Sequence, residues 1–202
     1  MLDGMMRGLI DPPLERLARP LVRAGVSADA LTLAGLAAGV FCALCVALGW
    51  SGAALGALAL SRLADGLDGA VARATRRSDF GGFLDIVCDF IFYGAVPLAF
   101  ALHDPARNAL AGAALLFAFY VNGASFLAYA AVAARRGMVA SSRGVKAIYF
   151  TAGLAEGTET IAVFAAMMIF PQGFVWLAYG FAAVCLVTAA GRVWLARGEF
   201  AD

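Results

Sequence analysis

Six apolar stretches, near residues 31–49, 52–72, 83–102, 108–134, 146–169 and 174–194, alternate with short polar breaks along the chain. Each approaches the ~20 residues that an α-helix needs to cross a ~30 Å hydrocarbon layer. The breaks hold residues that turn chains: Gly49 to Gly52, a polar Arg73–Gly82 segment, His103-Asp104-Pro105, Arg135–Arg143 and Phe170-Pro171-Gln172-Gly173. The pattern predicts an all-α integral membrane protein with six transmembrane helices.

Upstream of the first run, residues 1–30 are too polar and too long for a signal peptide, and no small-residue cleavage site follows. Pro12 and Pro13 open a stretch in which Leu14, Leu17 and Leu21 share a face, with Arg16, Arg19 and Arg23 beside them. This fits an amphipathic helix lying in the headgroup layer; the alternative is a short helix packed on the spans. The expected plan is a cytoplasmic segment at 1–30, a six-helix membrane domain at 31–196 and a cytoplasmic tail at 197–202.

Composition agrees with the pattern. Apolar residues make up 63% of the 202, and charged residues 14%, against roughly 45–50% apolar in soluble domains. Mean hydropathy is +0.85. The net charge of +1 excludes little, but its distribution is informative. Of the 15 Lys and Arg, 13 fall before residue 30, in 73–77, in 135–146 or from 192 onward; only Arg107 lies on the other side, and Arg62 lies within the second run. The positive-inside rule then makes both termini, the 73–82 segment and the Arg135–Lys146 loop cytoplasmic.

Against this apolar background, residues 65–89 read DGLDGAVARATRRSDFGGFLDIVCD. Asp65 and Asp68 are spaced i, i+3, and Asp85 and Asp89 i, i+4, so each pair shares one helix face. A charge inside a bilayer costs on the order of 3 kcal/mol even on permissive scales. Solvation at a helix end would account for one pair, but not for two with glycines between them. A bound divalent cation compensates the whole set, because carboxylate oxygens are the ligands that Mg²⁺, Mn²⁺ and Ca²⁺ prefer. Gly69 and Gly81 leave bare backbone where a flat ring or a diphosphate can approach, and Arg73 lies one turn beyond Gly69, within reach of a phosphate.

Other chemistry is narrowed. Cys42, Cys45, Cys88 and Cys185 all fall in apolar runs, and Cys42-Ala-Leu-Cys45 lacks the polar surroundings of a redox or zinc motif. The single histidine, His103, belongs to a far-side break, about 20–30 Å across the bilayer from the aspartates. A histidine triad or relay is therefore excluded, and a general base has to be a carboxylate.

The spacing Asp65-x2-Asp68-Gly69-x2-Ala72-Arg73-x7-Gly81-x3-Asp85-x3-Asp89 resembles the signature of the CDP-alcohol phosphotransferases, integral membrane enzymes of phospholipid synthesis. All eight fixed positions are present, and the six-span plan extends the resemblance over nearly the whole chain. It implies a reaction in which an alcohol attacks the β-phosphorus of a CDP-linked donor and releases CMP. It also implies that Asp65, Asp68 and Asp85 bind metal, one or two Mg²⁺ or Mn²⁺ ions, with Asp89 as general base and as ligand to a second ion. Gly69, Ala72, Arg73 and Gly81 would line the cytidine diphosphate. A weaker echo lies in Gly25-Val-Ser-Ala-Asp29-Ala-Leu-Thr32, where many members carry a Pro-Asn-x-x-Thr type segment; Ala28 and Asp29 replace Pro-Asn. Asp29 and Thr32 are candidate nucleotide contacts, or else the N-cap that opens the first span.

The acceptor is less determined. Arg135, Arg136, Arg143 and Lys146 would suit a phosphorylated alcohol such as glycerol 3-phosphate or an inositol phosphate, although topology alone also makes this loop basic. Glu156 and Glu159 are one turn apart in the fifth run. They either recognise an amine on the acceptor, pair with Arg62 or Arg192, or hold a helix or dimer contact. Gly35-x3-Gly39, Gly52-x3-Gly56 and Gly153-x3-Gly157 permit close helix packing, and the resemblance implies a homodimer.

The expected function is transfer of a phosphatidyl group from CDP-diacylglycerol to a small polar alcohol at the cytoplasmic side of the inner membrane, with no nucleic-acid partner. A CDP-amino-alcohol donor with a diacylglycerol acceptor is the in-family inverse. A divalent-cation transporter would want acids along a path across the membrane and often inverted repeats, and neither is visible. An inactive scaffold would have no need of all eight positions.

Overall fold

A computed structural model describes residues 2–138 and 155–201, with side chains from residue 10 onward. Every regular element among the described residues is helical: α1 (Leu2–Arg23), α2 (Ala28–Ala47), α3 (Ser51–Ala74), α4 (Asp79–His103), α5 (Pro105–Arg135), α6 (Gly157–Ile169) and, after a 3₁₀ turn at Pro171–Gly173, α7 (Phe174–Phe200). Among the described residues, four segments are long and apolar enough to cross a membrane, namely Ala28–Ala47, Asp79–His103, Pro105–Arg135 and Pro171–Phe200. Helix α3 has the length, at 24 residues, but Arg62, Asp65, Asp68 and Arg73 interrupt its apolar character. Helix α6 is a shorter apolar helix of 13 residues, and the start of the run expected from 146 lies outside the described residues.

Local chemistry sets the helix ends. Ser27, Ser78 and Asp104 cap α2, α4 and α5 by accepting from the amides of Ala30 (3.2 Å), Gly81 (2.9 Å) and Arg107 (3.2 Å). Caps placed this way start each helix three or four residues ahead of its apolar run. Gly25 and Gly49, both at φ +75°, stop α1 and α2. At the first stop the Gly25 amide donates to Val22 O and the Val26 amide to Leu21 O, each at 3.0 Å; at the second Gly49 donates to Val46 O at 3.0 Å and Trp50 to Cys45 O at 2.8 Å. His103 closes over the second stop, with Nδ1 3.2 Å from Ala47 O.

Helix α1 begins well before Pro12 and Pro13 and carries both prolines, with Pro20, inside it. All three lie on its exposed side, where water can take the carbonyls that proline leaves without an amide partner. Its inner face is Leu14 and Ala18, 8% and 2% exposed, which pack with Ala70 and Val71 of α3. Leu17 stays 53% exposed. At Gly66 of α3 a Cβ would sit 2.7 Å from Leu14 Cδ1, so the absence of a side chain there is what lets α1 lie across α3.

Helices α2, α3 and α4 meet along the Gly35/Gly39 stripe. Ser61 Oγ donates to Gly35 O at 2.8 Å, and a Cβ at Gly39 would come 2.7 Å from Phe92 Cδ2. Beyond this stripe the core is aromatic: Phe92, Tyr93 and Phe119 surround Phe164, Phe181 packs on Phe119, and Phe100 stacks on Phe174 at 4.4 Å. Large apolar side chains also face outward, such as Phe117 at 60% and Trp176 at 81% exposure, which suits a molecule whose surroundings are lipid rather than water. Helix α7 continues to Phe200, so the segment expected as a tail from 197 is mostly helix. Its end is fastened to α5 by Tyr129, whose hydroxyl donates to Glu199 Oε2.

Candidate active site

Helices α3 and α4 each contribute two acids on successive turns. One carboxylate oxygen each from Asp65, Asp68 and Asp85 lie within 4.8 Å of one another. Hard cations sit about 2.0–2.6 Å from oxygen ligands, so oxygens this close need only small side-chain rotations to converge on one ion, and carboxylates are the donors that Mg²⁺ and Mn²⁺ take. Asp68 is buried, and its Oδ2 accepts from Thr32 Oγ1 of α2 at 2.6 Å. That bond is charge-assisted and fixes the carboxylate's orientation.

Asp89 is held differently. Arg62 Nη1 donates to Asp89 Oδ1 at 3.1 Å and stands 3.4 Å from Asp65 Oδ1. The same guanidinium donates through Nη2 to Ser61 Oγ at 3.2 Å and lies over the Phe92 ring at 4.8 Å. The sequence expectation that Arg62 pairs with Glu156 or Glu159 gives way to this pairing. The spacing explains it: Arg62 is one turn before Asp65 on the same helix face.

Beside the acids lies a cavity of about 310 Å³. Asp29, Thr32, Gly69, Ala72, Arg73 and Gly81, the six residues expected at a nucleotide, all line it, together with Asp68 and Asp85. The N-cap alternative for Asp29 and Thr32 falls away, because Ser27 performs that capping and Thr32 turns to Asp68. A Cβ at Gly81 would meet Asp29 Oδ1 at 3.1 Å and Ser78 Oγ at 3.0 Å, so bare backbone keeps the cavity open there. Arg73 lies by Gly69, with Nη2 3.4 Å from Asp11 Oδ1 of α1. Arg76, Arg77 and Ser78 join the lining from the α3–α4 connection. The cavity is thus cationic along one wall and carboxylate-rich at one end, which suits a diphosphate bound by guanidinium groups and metal together.

A sequence profile of the CDP-alcohol phosphatidyltransferases matches residues 26–194. Inner membrane protein YnjF of Escherichia coli (strain K12) is 48% identical over 194 residues, covering 96% of this chain and 94% of that protein. The chain belongs to the CDP-alcohol phosphatidyltransferase family.

Solved structures agree with the fold of this phosphatidyltransferase. Mycobacterium tuberculosis phosphatidylinositol phosphate synthase (PgsA1) in complex with manganese and citrate superposes with a TM-score of 0.72 at 24% identity, over 89% of this chain and 87% of that one. The same synthase with CDP-DAG bound gives 0.63 at 26% identity, over 89% and 91%.

Among the described residues, none of those expected at the acceptor lines this cavity. Arg135 is exposed at the end of α5. Arg136 donates to Glu199 O at 3.3 Å and Phe200 O at 2.9 Å and lies over the Phe200 ring at 5.4 Å, so it fastens α7 to α5. Arg143 and Lys146 lie outside the described residues. Glu156 precedes α6 and Glu159 is in its first turn. Near that end of the bundle, Arg192 of α7, 8% exposed, donates to Asn122 O at 3.1 Å, to Asn122 Oδ1 at 3.0 Å and to Ser125 Oγ. Sequence reasoning did not single out Asn122, Ser125, Arg76 or Arg77. The RR pair within a break between two acid-bearing helices was the available signal for the last two.

Proposed function

We propose that this phosphatidyltransferase moves a phosphatidyl group from CDP-diacylglycerol to a small polar alcohol and releases CMP. The observation that carries the reading is the cavity in which six nucleotide-contact candidates converge next to the Asp65–Asp68–Asp85 set. The synthase structure with CDP-DAG bound supports the choice of donor. Bound at Asp65, Asp68 and Asp85, a divalent ion would neutralise the diphosphate and stabilise the charge of the leaving group.

The chain's own residues supply the rest. Arg73, with Arg76 and Arg77, holds the donor phosphates, and Gly69 and Gly81 give the nucleotide access to backbone. Asp89 takes the proton from the acceptor hydroxyl as its oxygen attacks the β-phosphorus. A phosphodiester bond forms, the bond from that phosphorus to the bridging oxygen breaks, and the oxygen leaves on CMP. Arg62, donating to Asp89 Oδ1 at 3.1 Å, holds that carboxylate in place one turn beyond Asp85.

The molecule works as a six-span protein of the inner membrane, with α3 and α6 completing the count, both termini and the site cytoplasmic, and α1 in the headgroup layer. Donor acyl chains then stay in lipid while a soluble alcohol arrives from the cytosol. The working unit is a homodimer. The acceptor is a phosphorylated polyol, glycerol 3-phosphate or an inositol phosphate, met by the basic residues from Arg135 to Lys146. An amino alcohol is the second choice, with Glu156 and Glu159 as the acids that would meet its amine.

Purified protein given CDP-diacylglycerol, Mn²⁺ or Mg²⁺ and a panel of polar alcohols should release CMP with at least one acceptor. Folded protein that releases none with any acceptor would count against the reaction itself. Asp89→Asn should lower turnover by at least about 10²-fold, the usual scale of a general base, while CDP-diacylglycerol still binds; undiminished turnover removes Asp89 as the base.

A further inference from the structure

Arg62 is fixed from three helices. Its own helix α3 supplies Ser61, 3.2 Å from Nη2, and Ser61 is anchored in turn to Gly35 O of α2 at 2.8 Å. Helix α4 supplies Asp89 and the Phe92 ring. The Nε of Arg62 is buried without a hydrogen-bond partner, which weakens the fold. A side chain retained at that cost is expected to matter for where its charge sits. The charge sits between Asp65 and Asp89, 3.4 Å from one carboxylate and 3.1 Å from the other.

That is the place where a cation bridging the two acids would have to bind. A divalent ion there needs oxygens of both carboxylates at about 2.0–2.6 Å, in the space the guanidinium fills, and guanidinium does not give up its proton to leave the place neutral. The three acids that do converge, Asp65, Asp68 and Asp85, do so without Asp89.

We propose that Arg62 takes the place of a second divalent cation, so that the site binds one ion, at Asp65, Asp68 and Asp85, and Asp89 stays outside its coordination shell as a residue positioned by Arg62. The proposal rests on the metal-assisted reading above and adds the number of ions and the residue that sets it.

Counting ions tests it without reference to turnover. Detergent-purified protein, equilibrated with Mn²⁺ and measured by equilibrium dialysis with elemental analysis, should bind one Mn²⁺ per protomer. Its paramagnetic resonance spectrum should be that of an isolated ion. Asp89→Asn should still bind one. Arg62→Met, which keeps the stem but removes the charge, should bind a second Mn²⁺ and give the spectrum of a coupled pair. Two ions in the unaltered protein, loss of the ion in Asp89→Asn, or a folded Arg62→Met that still binds one would each overturn the proposal. The first two measurements decide it even if Arg62→Met fails to fold. No bound Mn²⁺ in the unaltered protein would strike the metal-assisted reading itself, whereas two would strike only the role given to Arg62.

Discussion

Asp68 faces the cavity with its Oδ2 engaged by Thr32 at 2.6 Å, which makes Thr32 a support for the metal set rather than a ligand. Partners of this kind typically set metal affinity by 10–100-fold. Thr32→Val, which keeps the shape and removes the hydroxyl, should therefore weaken Mn²⁺ binding by about 10-fold or more, read by Mn²⁺ titration, with little change in the folded helix content. Arg73 acts on the other end of the cavity. Arg73→Met should weaken CDP binding by roughly 10- to 100-fold, the worth of one charge-assisted hydrogen bond of about 1.5–3 kcal/mol, and should leave the Mn²⁺ affinity in place. At this scale the eight-residue spacing made the acid cluster and the Gly69, Ala72, Arg73 and Gly81 lining of the cavity legible, because both lie within short stretches of two helices. The Arg62–Asp89 contact was not legible, since it joins residues 27 apart in the chain and depends on how α3 and α4 rotate against each other.

Glycines set how closely the helices approach, and they separate into two kinds. Gly39 faces Phe92, with 2.7 Å available to a new Cβ, whereas Gly56 has nothing within 4 Å. Gly39→Ala should lose about 1–3 kcal/mol of stability by overpacking, seen as a lower midpoint of thermal unfolding in detergent. Gly56→Ala should lose none. The sequence offered Gly35-x3-Gly39 and Gly52-x3-Gly56 as equivalent motifs; only the fold distinguishes the stripe that meets two helices from the one that meets none within the protomer. Helix α1 teaches the same lesson in reverse. Three prolines read as punctuation along the chain, yet each falls on the solvent-facing side of a helix whose inner face has Gly66 to lie against.

Across the whole molecule, orientation is the property most open to a direct check. Cys42, Cys45, Cys88 and Cys185 are all buried, so a cysteine introduced at the surface will dominate labelling. Gln172→Cys, in the 3₁₀ turn, should react with a membrane-impermeant thiol reagent added to cells whose inner membrane is intact. Ala134→Cys, near the end of α5, should react only after that membrane is breached. The reverse pattern would invert the proposed topology. The helical architecture was readable from hydropathy because each run needed only its own residues to be recognised. The acceptor side was less legible, because a basic residue at a helix end can serve the fold as well as a ligand, as Arg136 does in holding the end of α7.

One regularity in the acid partnerships bears on how such a chain is made. Asp65 and Asp89 meet Arg62, and Asp68 meets Thr32; each partner precedes its acid in the sequence. A ribosome delivers the chain in that order, so when α3 and α4 pass into the bilayer the groups that offset their charge have already been synthesised. None of these three acids has to wait in lipid for a partner encoded further along the message.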